Sequence, residues 1–208
     1  MVSVRKIFFK SAVLVLGLGL VSQVAHALRE YKLDTSHSEV GFSVRHLMVT
    51  NVRGRFNDFS GSFKYDAANR EVRDVDVVIQ AKSIDTNDKK RDDHLRNDDF
   101  FATDKFPILT FKATGPVRLG SNNKAKVPGN LTMRGVTKPV TLDVEMLGIT
   151  TDPWGNEKLG FTAETRLNRQ DYGVSWNKTL DRGGVSVGNE VRIMIEGQAL
   201  LIKPEGKK

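Results

Sequence analysis

Residues 86–107, TNDKKRDDHLRNDDFFATDKFP, are the one place after residue 27 where the two-residue rhythm of β-strands clearly stops. Lys89 to Asn97 holds good helix formers with no Gly or Pro, and Asp85 or Thr86 stands where an N-cap is needed. Leu95, Phe100, Phe101 and Phe106 then supply a dense apolar anchor, and Pro107 stops the run. A helix this short does not persist alone in water, so it must lie on another element. Everything around it reads as strand.

On its N-terminal side, Val40, Phe42, Val44 and His46 share one face from Asp34 onward, against Glu39, Gly41, Ser43 and Arg45 on the other. A second strand runs from Val52 to Tyr65 and slips phase at Asn57-Asp58, which predicts a bulge bending a long strand. After a turn at residues 66–70, Val75, Val77, Ile79 and Ala81 alternate with Asp74, Asp76 and Gln80. Beyond the helix come Leu109 to Ala113, Val127 to Met133, Val140 to Met146, Leu159 to Leu167 and Val191 to Ala199, each alternating and punctuated by Gly, Asn or Pro. Eight half-buried strands at hairpin spacing with one short helix predict an all-β fold, an antiparallel eight-stranded barrel. Glycines within the strands (Gly54, Gly61, Gly129, Gly160 and Gly197) favour the coiling of a barrel over a sandwich. Such a barrel either fills itself with side chains or holds one small apolar ligand. Gly54, Gly61, Ala81, Gly129, Ala163 and Gly197, small and in the inward phase, are expected to leave volume for the second outcome.

The first 27 residues read as a secretory signal peptide: Arg5, Lys6 and Lys10, an apolar run from Ala12 to Val21, and an Ala25-His26-Ala27 cleavage site. Residues 28–208 are then the barrel domain. Without the three leader cations the formal net charge of +7 falls to +4, and acids and bases are interspersed, which argues against a nucleic-acid partner. The chain has no cysteine, excluding disulfides and thiol chemistry.

Gly184-Val185-Ser186-Val187-Gly188 fits the G-x-S-x-G pattern, but every histidine precedes Ser186 and no helix is expected after it, so no nucleophile and base are assigned. His37, His46 and His94 match no metal-ligand spacing, and no metal or catalytic residue is expected.

Four blocks carry a family resemblance: Tyr31-Lys32-Leu33-Asp34-x-x-His37-Ser38-x-Val40-x-Phe42-x-Val44-x-His46; Arg91-Asp92-x-His94-Leu95 with Phe101; Leu131-Thr132-x-Arg134-Gly135-Val136-Thr137-Lys138-Pro139-Val140; and Asn168-Arg169-x-Asp171-Tyr172-Gly173-Val174-x-Trp176. In this order they resemble the YceI-like family of bacterial periplasmic proteins. The resemblance implies a lipocalin-like barrel binding a long apolar ligand, a polyisoprenoid, its pyrophosphate or a fatty-acid derivative, with no cofactor beyond that lipid. It also implies a periplasmic, non-catalytic carrier. An enzyme acting on a lipid or isoprenoid intermediate, and a stress-related interaction module with a filled core, are the alternatives. A transient contact with a membrane or membrane partner, and a homodimer, stay open.

The candidate lining residues are Val40, Phe42 and Val44 in the first strand, Phe56, Phe59 and Phe63 in the second, and Val77 and Ile79 in the third. Leu95 and Phe101 of the helical stretch join them, followed by Phe111, Leu131, Val144, Phe161, Trp176 and Ile193. Charge and position at element ends make His46, Arg91, His94, Asn168 and Arg169 candidates for a polar head group at the mouth.

Overall fold

The structure, a computed structural model, describes residues 28–181 and 183–203; the segment read as a signal peptide lies outside these. In chain order the elements are β1 (Arg29–Leu33), β2 (Glu39–His46), β3 (Thr50–Phe56), β4 (Phe59–Asp66), β5 (Glu71–Gln80), β6 (Ile84–Asp85), α1 (Lys89–Arg96), β7 (Ile108–Ala113), β8 (Val117–Arg118), β9 (Lys124–Met133), β10 (Val136–Thr151), β11 (Glu157–Asn168) and β12 (Val187–Leu201).

Several of these are pieces of longer strands. β1 pairs with β4 while β2 pairs with β3, so β1–β2 and β3–β4 are two broken rows side by side. β6 continues β5 against β3, and β8 continues β7 against β5. Eight antiparallel rows result, each beside its neighbour in sequence. The ring closes where β12 pairs with β1 (Leu33↔Ala199) and with β2 (Val40↔Ile195). The expected slip at Asn57-Asp58 is the break between β3 and β4, and it lets Phe56 and Phe59 both be buried although they are three residues apart.

Three boundaries differ from expectation. The first row begins at Arg29, and Asp34, read as its start, instead caps a one-turn 3-10 helix (Thr35–His37) that breaks it. The N-cap of α1 is Asp88, which accepts from Arg91 N, because Asp85 is used in β6 and Thr86 hydrogen-bonds to Asp92. The connection expected at residues 134–139 is only a two-residue turn: Arg134 and Gly135 take positive φ and β10 starts at Val136. Pro139 is tolerated within β10 because pairing with β11 begins only at Asp143, so its missing N–H faces an unpaired edge.

The up-and-down order gives the barrel two ends. One carries α1, the β2–β3 and β9–β10 turns and residues 169–186; the other carries the β4–β5 and β10–β11 turns.

Asp34 fastens the break to the closing seam. Its carboxylate, 10 % exposed, accepts from Ser36 Oγ (2.6 Å) and Gln198 Nε2 (2.8 Å), and meets His37 Nδ1 (2.9 Å) and Lys158 Nζ (3.4 Å). Burial works against its ionisation, but the hydrogen bonds from Ser36, His37, Gln198 and Lys158 outweigh it and hold the carboxyl well below the usual range. A group whose folded pKa lies below its unfolded value of about 3.9 contributes its full stability above that value, and loses it as pH falls toward the folded pKa. Asp34→Asn should therefore be less stable than wild type at pH 7, with the gap closing below about pH 4. Denaturant midpoints across that range check it; a gap independent of pH would contradict the assignment.

Candidate functional site

The inward faces enclose a lumen of about 240 Å³. Its wall is aliphatic and aromatic from one end to the other, and among the described residues only Ser62, Thr165 and Arg169 bring a polar residue to it. The lumen stays open because of how the rings are stowed. Phe42 faces Gly54 across β2–β3, and Phe161 faces Gly197 across β11–β12. A Cβ built on Gly54 would stand 2.4 Å from Phe42 Cζ, on Gly197 2.2 Å from Phe161 Cζ, and on Gly129 2.3 Å from Phe111 Cζ. Each ring thus lies over a glycine, against the wall. These glycines do not leave empty volume for a ligand, as their small size suggested; they receive rings that would otherwise stand in the lumen. Gly61 is also occupied, by Asp76 O and the side chains of Leu33 and Val77, and Ala81 is buried off the lumen wall. Ala163 is on the wall.

At the helix end, Leu95, Phe100 and Phe101 reach the lumen from α1 and the turn after it, and Phe101 meets Phe56 edge-on at 5.9 Å. The helix is tied down by polar contacts. Buried Asp92 accepts from Thr86 N, while Arg96 donates to the carbonyls of Lys82 (2.9 Å) and Ile84 (2.8 Å). The far end is packed: Tyr31 stacks on Phe63 at 5.5 Å, and Leu119, Met146, Leu159 and Ala199 fill in around them. The Tyr31 hydroxyl donates to Glu157, and its pKa is raised, first by burial and then by that carboxylate.

Of the predicted lining residues, Val40, Phe42, Val44, Phe56, Phe63, Val77, Ile79, Leu95, Phe101, Phe111, Leu131, Val144, Phe161 and Ile193 reach the lumen. Phe59 does not: it is the first residue past the β3–β4 break and is buried in the surrounding apolar cluster. Trp176 does not either, and packs outside against Phe100 (5.4 Å) and His94 (5.1 Å). Leu142, Met146, Leu159, Leu167, Val191 and Ile195 also line the lumen. They share the inward phase of the predicted residues on the same strands.

Of the five head-group candidates only Arg169 is on the lumen wall. Arg91 is committed to Thr86, with Nε on Oγ1 at 2.7 Å and Nη2 on the carbonyl at 2.8 Å. His94 meets Asp99 (2.9 Å) and its ring is held against Phe100 and Trp176. Asn168 caps the 3-10 turn of Arg169–Tyr172 by accepting from Gln170 N. His46 ends β2 opposite Thr50 and Val187, one step past the lumen wall.

Arg169 is 4 % exposed. Its guanidinium donates to the carbonyls of Gly188 (2.9 Å), Val174 (2.6 Å) and Val187 (3.3 Å), and no carboxylate pairs with it among the described residues. Burial lowers its pKa, yet an arginine this far from neutrality remains a cation. A buried charge stabilised only by carbonyl dipoles is incompletely compensated. Ser186, by contrast, donates its hydroxyl to Lys178 O (3.0 Å), and β12 rather than a helix follows it.

Residues 31–199 match the YceI-like domain family. A UPF0312 protein of Shewanella putrefaciens is 38% identical over 184 residues, covering 88% of this chain and 94% of the relative. The crystal structure of the Campylobacter jejuni YCEI protein is 34% identical, with a TM-score of 0.65 over 82% of this chain and 97% of its own. A polyisoprenoid binding domain from Saccharophagus degradans, 16% identical, shares the fold with a TM-score of 0.60 over 85% of this chain and 100% of its own.

The stowed rings make a stability prediction. Gly197→Ala should lift Phe161 off the wall and lower stability by about 1–3 kcal/mol, as overpacking does. Phe161→Leu in the same chain should recover part of the loss, read as a double-mutant cycle in urea. Additive losses, or a Gly197→Ala variant as stable as wild type, would contradict the pairing.

Proposed function

The chain belongs to the YceI-like family, and from that premise we propose that it is a periplasmic carrier that holds one long-chain apolar lipid, of polyisoprenoid or fatty-acyl type, inside the barrel without chemically altering it. The observation that carries this reading is the lumen itself. At about 24 cal/mol per Å³, 240 Å³ of void would cost about 6 kcal/mol, comparable to the whole stability of many domains. An interaction module with a filled core has no reason to bear that cost. A chain of methylenes gains about 0.8 kcal/mol for each one buried and replaces the missing wall contacts.

Arg169, a cation buried at the helix end with no carboxylate partner among the described residues, supports a polar or anionic head group at that end. The same fold in Saccharophagus degradans forms a polyisoprenoid binding domain, so the architecture admits such a tail. The leader-like residues 1–27 support export, and the hydrogen bond that ties Ser186 to a carbonyl supports a binding rather than a hydrolytic role.

Ala163→Phe tests the reading. In delipidated protein a new ring in an open lumen should cost little or stabilise, whereas in a filled core it costs about 1–3 kcal/mol. The same variant should bind cis-parinaric acid at least about tenfold more weakly than wild type, because the ring takes the tail's place. Thermal midpoints and parinaric acid fluorescence titrations decide; a strongly destabilised variant, or wild type that binds no parinaric acid, would overturn the proposal.

A further inference from the structure

The β2–β3 hairpin turns at the helix end on Leu47, Met48 and Val49, and no described residue buries them: they are 41 %, 50 % and 76 % exposed. Leu47 and Met48 take φ of 48° and 59°, a region that turns usually fill with Asn, Asp or Gly. Apolar side chains in this conformation accept strain without gaining burial. Beneath the tip, Val44 and Val187 line the lumen, and His46, paired with Val187, stands between that wall and the exposed turn. Around it stand Arg45 and Arg53 on the outer face of the hairpin, and Lys178 in the adjoining loop. That loop is joined to the tip through Ser186, whose N bonds Lys178 O and whose carbonyl accepts from Leu47 N. All three cations are exposed, and none pairs with a carboxylate among the described residues. The exposed Trp154 (81 % exposed) at the far end has a different setting: its flanking acids are paired, Asp152 with Lys158 and Glu157 with Arg29, and the nearby Lys203 is bonded to Gly155 O.

We propose that the β2–β3 hairpin docks the barrel on an anionic bilayer surface. Leu47, Met48 and Val49 enter the boundary between head groups and acyl chains, and Arg45, Arg53 and Lys178 meet the lipid phosphates, each cation adding attraction that salt screens. The inference rests on the carrier reading in one respect: it sets the lumen's helix end against the membrane from which a tail would come.

The test is sedimentation of the delipidated protein with vesicles of phosphatidylglycerol or phosphatidylcholine. Val49→Asp and Trp154→Asp change the charge equally at opposite ends of the barrel. Wild type should partition to phosphatidylglycerol and far less to phosphatidylcholine. Val49→Asp should reduce that partitioning about tenfold, while Trp154→Asp leaves it within about twofold. The pair Arg45→Gln and Arg53→Gln should weaken binding and flatten its dependence on salt, which keeps the test decisive if Val49→Asp shifts the thermal midpoint. Wild type that ignores phosphatidylglycerol would leave the tip to a protein partner and overturn the proposal. So would a Val49→Asp variant that binds as wild type, or loss of binding in Trp154→Asp instead. Parinaric acid binding by the same samples reports separately on the lumen, so failure of docking and failure of the carrier reading are distinguishable.

Discussion

A closed ring of eight strand rows has inward side chains that must either meet at the axis or leave space there, and in this barrel the choice is made by where phenylalanine rings lie. Phe42, Phe111 and Phe161 each fold onto a glycine of a neighbouring strand, at Gly54, Gly129 and Gly197. Were those positions alanine, the rings would have to rise and the lumen would close from its own wall. The remaining lining, mostly Val, Leu and Ile, is too short to meet across the barrel. Openness is therefore a property of paired residues, a large ring and an absent side chain, rather than of small residues in general.

That apolar lumen is finished differently at its two ends. The far end is a packed cluster around Tyr31, Phe63 and Leu159, with the tyrosine hydroxyl taken by Glu157. The helix end is a lid, and its polar contacts serve to fix it: Arg91 and Arg96 donate to backbone carbonyls and Asp92 anchors Thr86. Arg169 is the exception, a residue bordering the lumen whose buried guanidinium is held, among the described residues, by carbonyls. The polarity of the site thus runs along the barrel axis, with tail toward Tyr31 and head toward Arg169 in the proposed complex.

Much of this was legible in the chain. Period-two alternation located the strand rows, and the slip at Asn57-Asp58 located a real break. The first row was misjudged because the alternation of Val40 to His46 was extended back through the uniformly polar Asp34 to Ser38, where Asp34 and Ser36 hydrogen-bond locally and turn the backbone. The site was legible by phase and illegible by role. Most inward aromatics line the lumen, but Trp176 lies in the irregular segment between β11 and β12, and no local pattern shows that it packs outside on His94. Arg91, His94, Asn168 and Arg169 look alike in sequence as polar residues at element ends. Only the fold shows that three of them are spent on Thr86, Asp99 and a backbone N–H, while the fourth is buried with no counter-ion among the described residues.

The central claim, that the lumen is a lipid site and not a packing defect, is tested most directly by native mass spectrometry of the protein purified from a bacterial periplasm without detergent, followed by organic extraction of the same sample. The account predicts a bound species of one single-chain, long apolar lipid per chain, whose removal lowers the thermal midpoint. A protein that carries no extractable lipid, and whose stability is unchanged by delipidation and by added lipid, would contradict it.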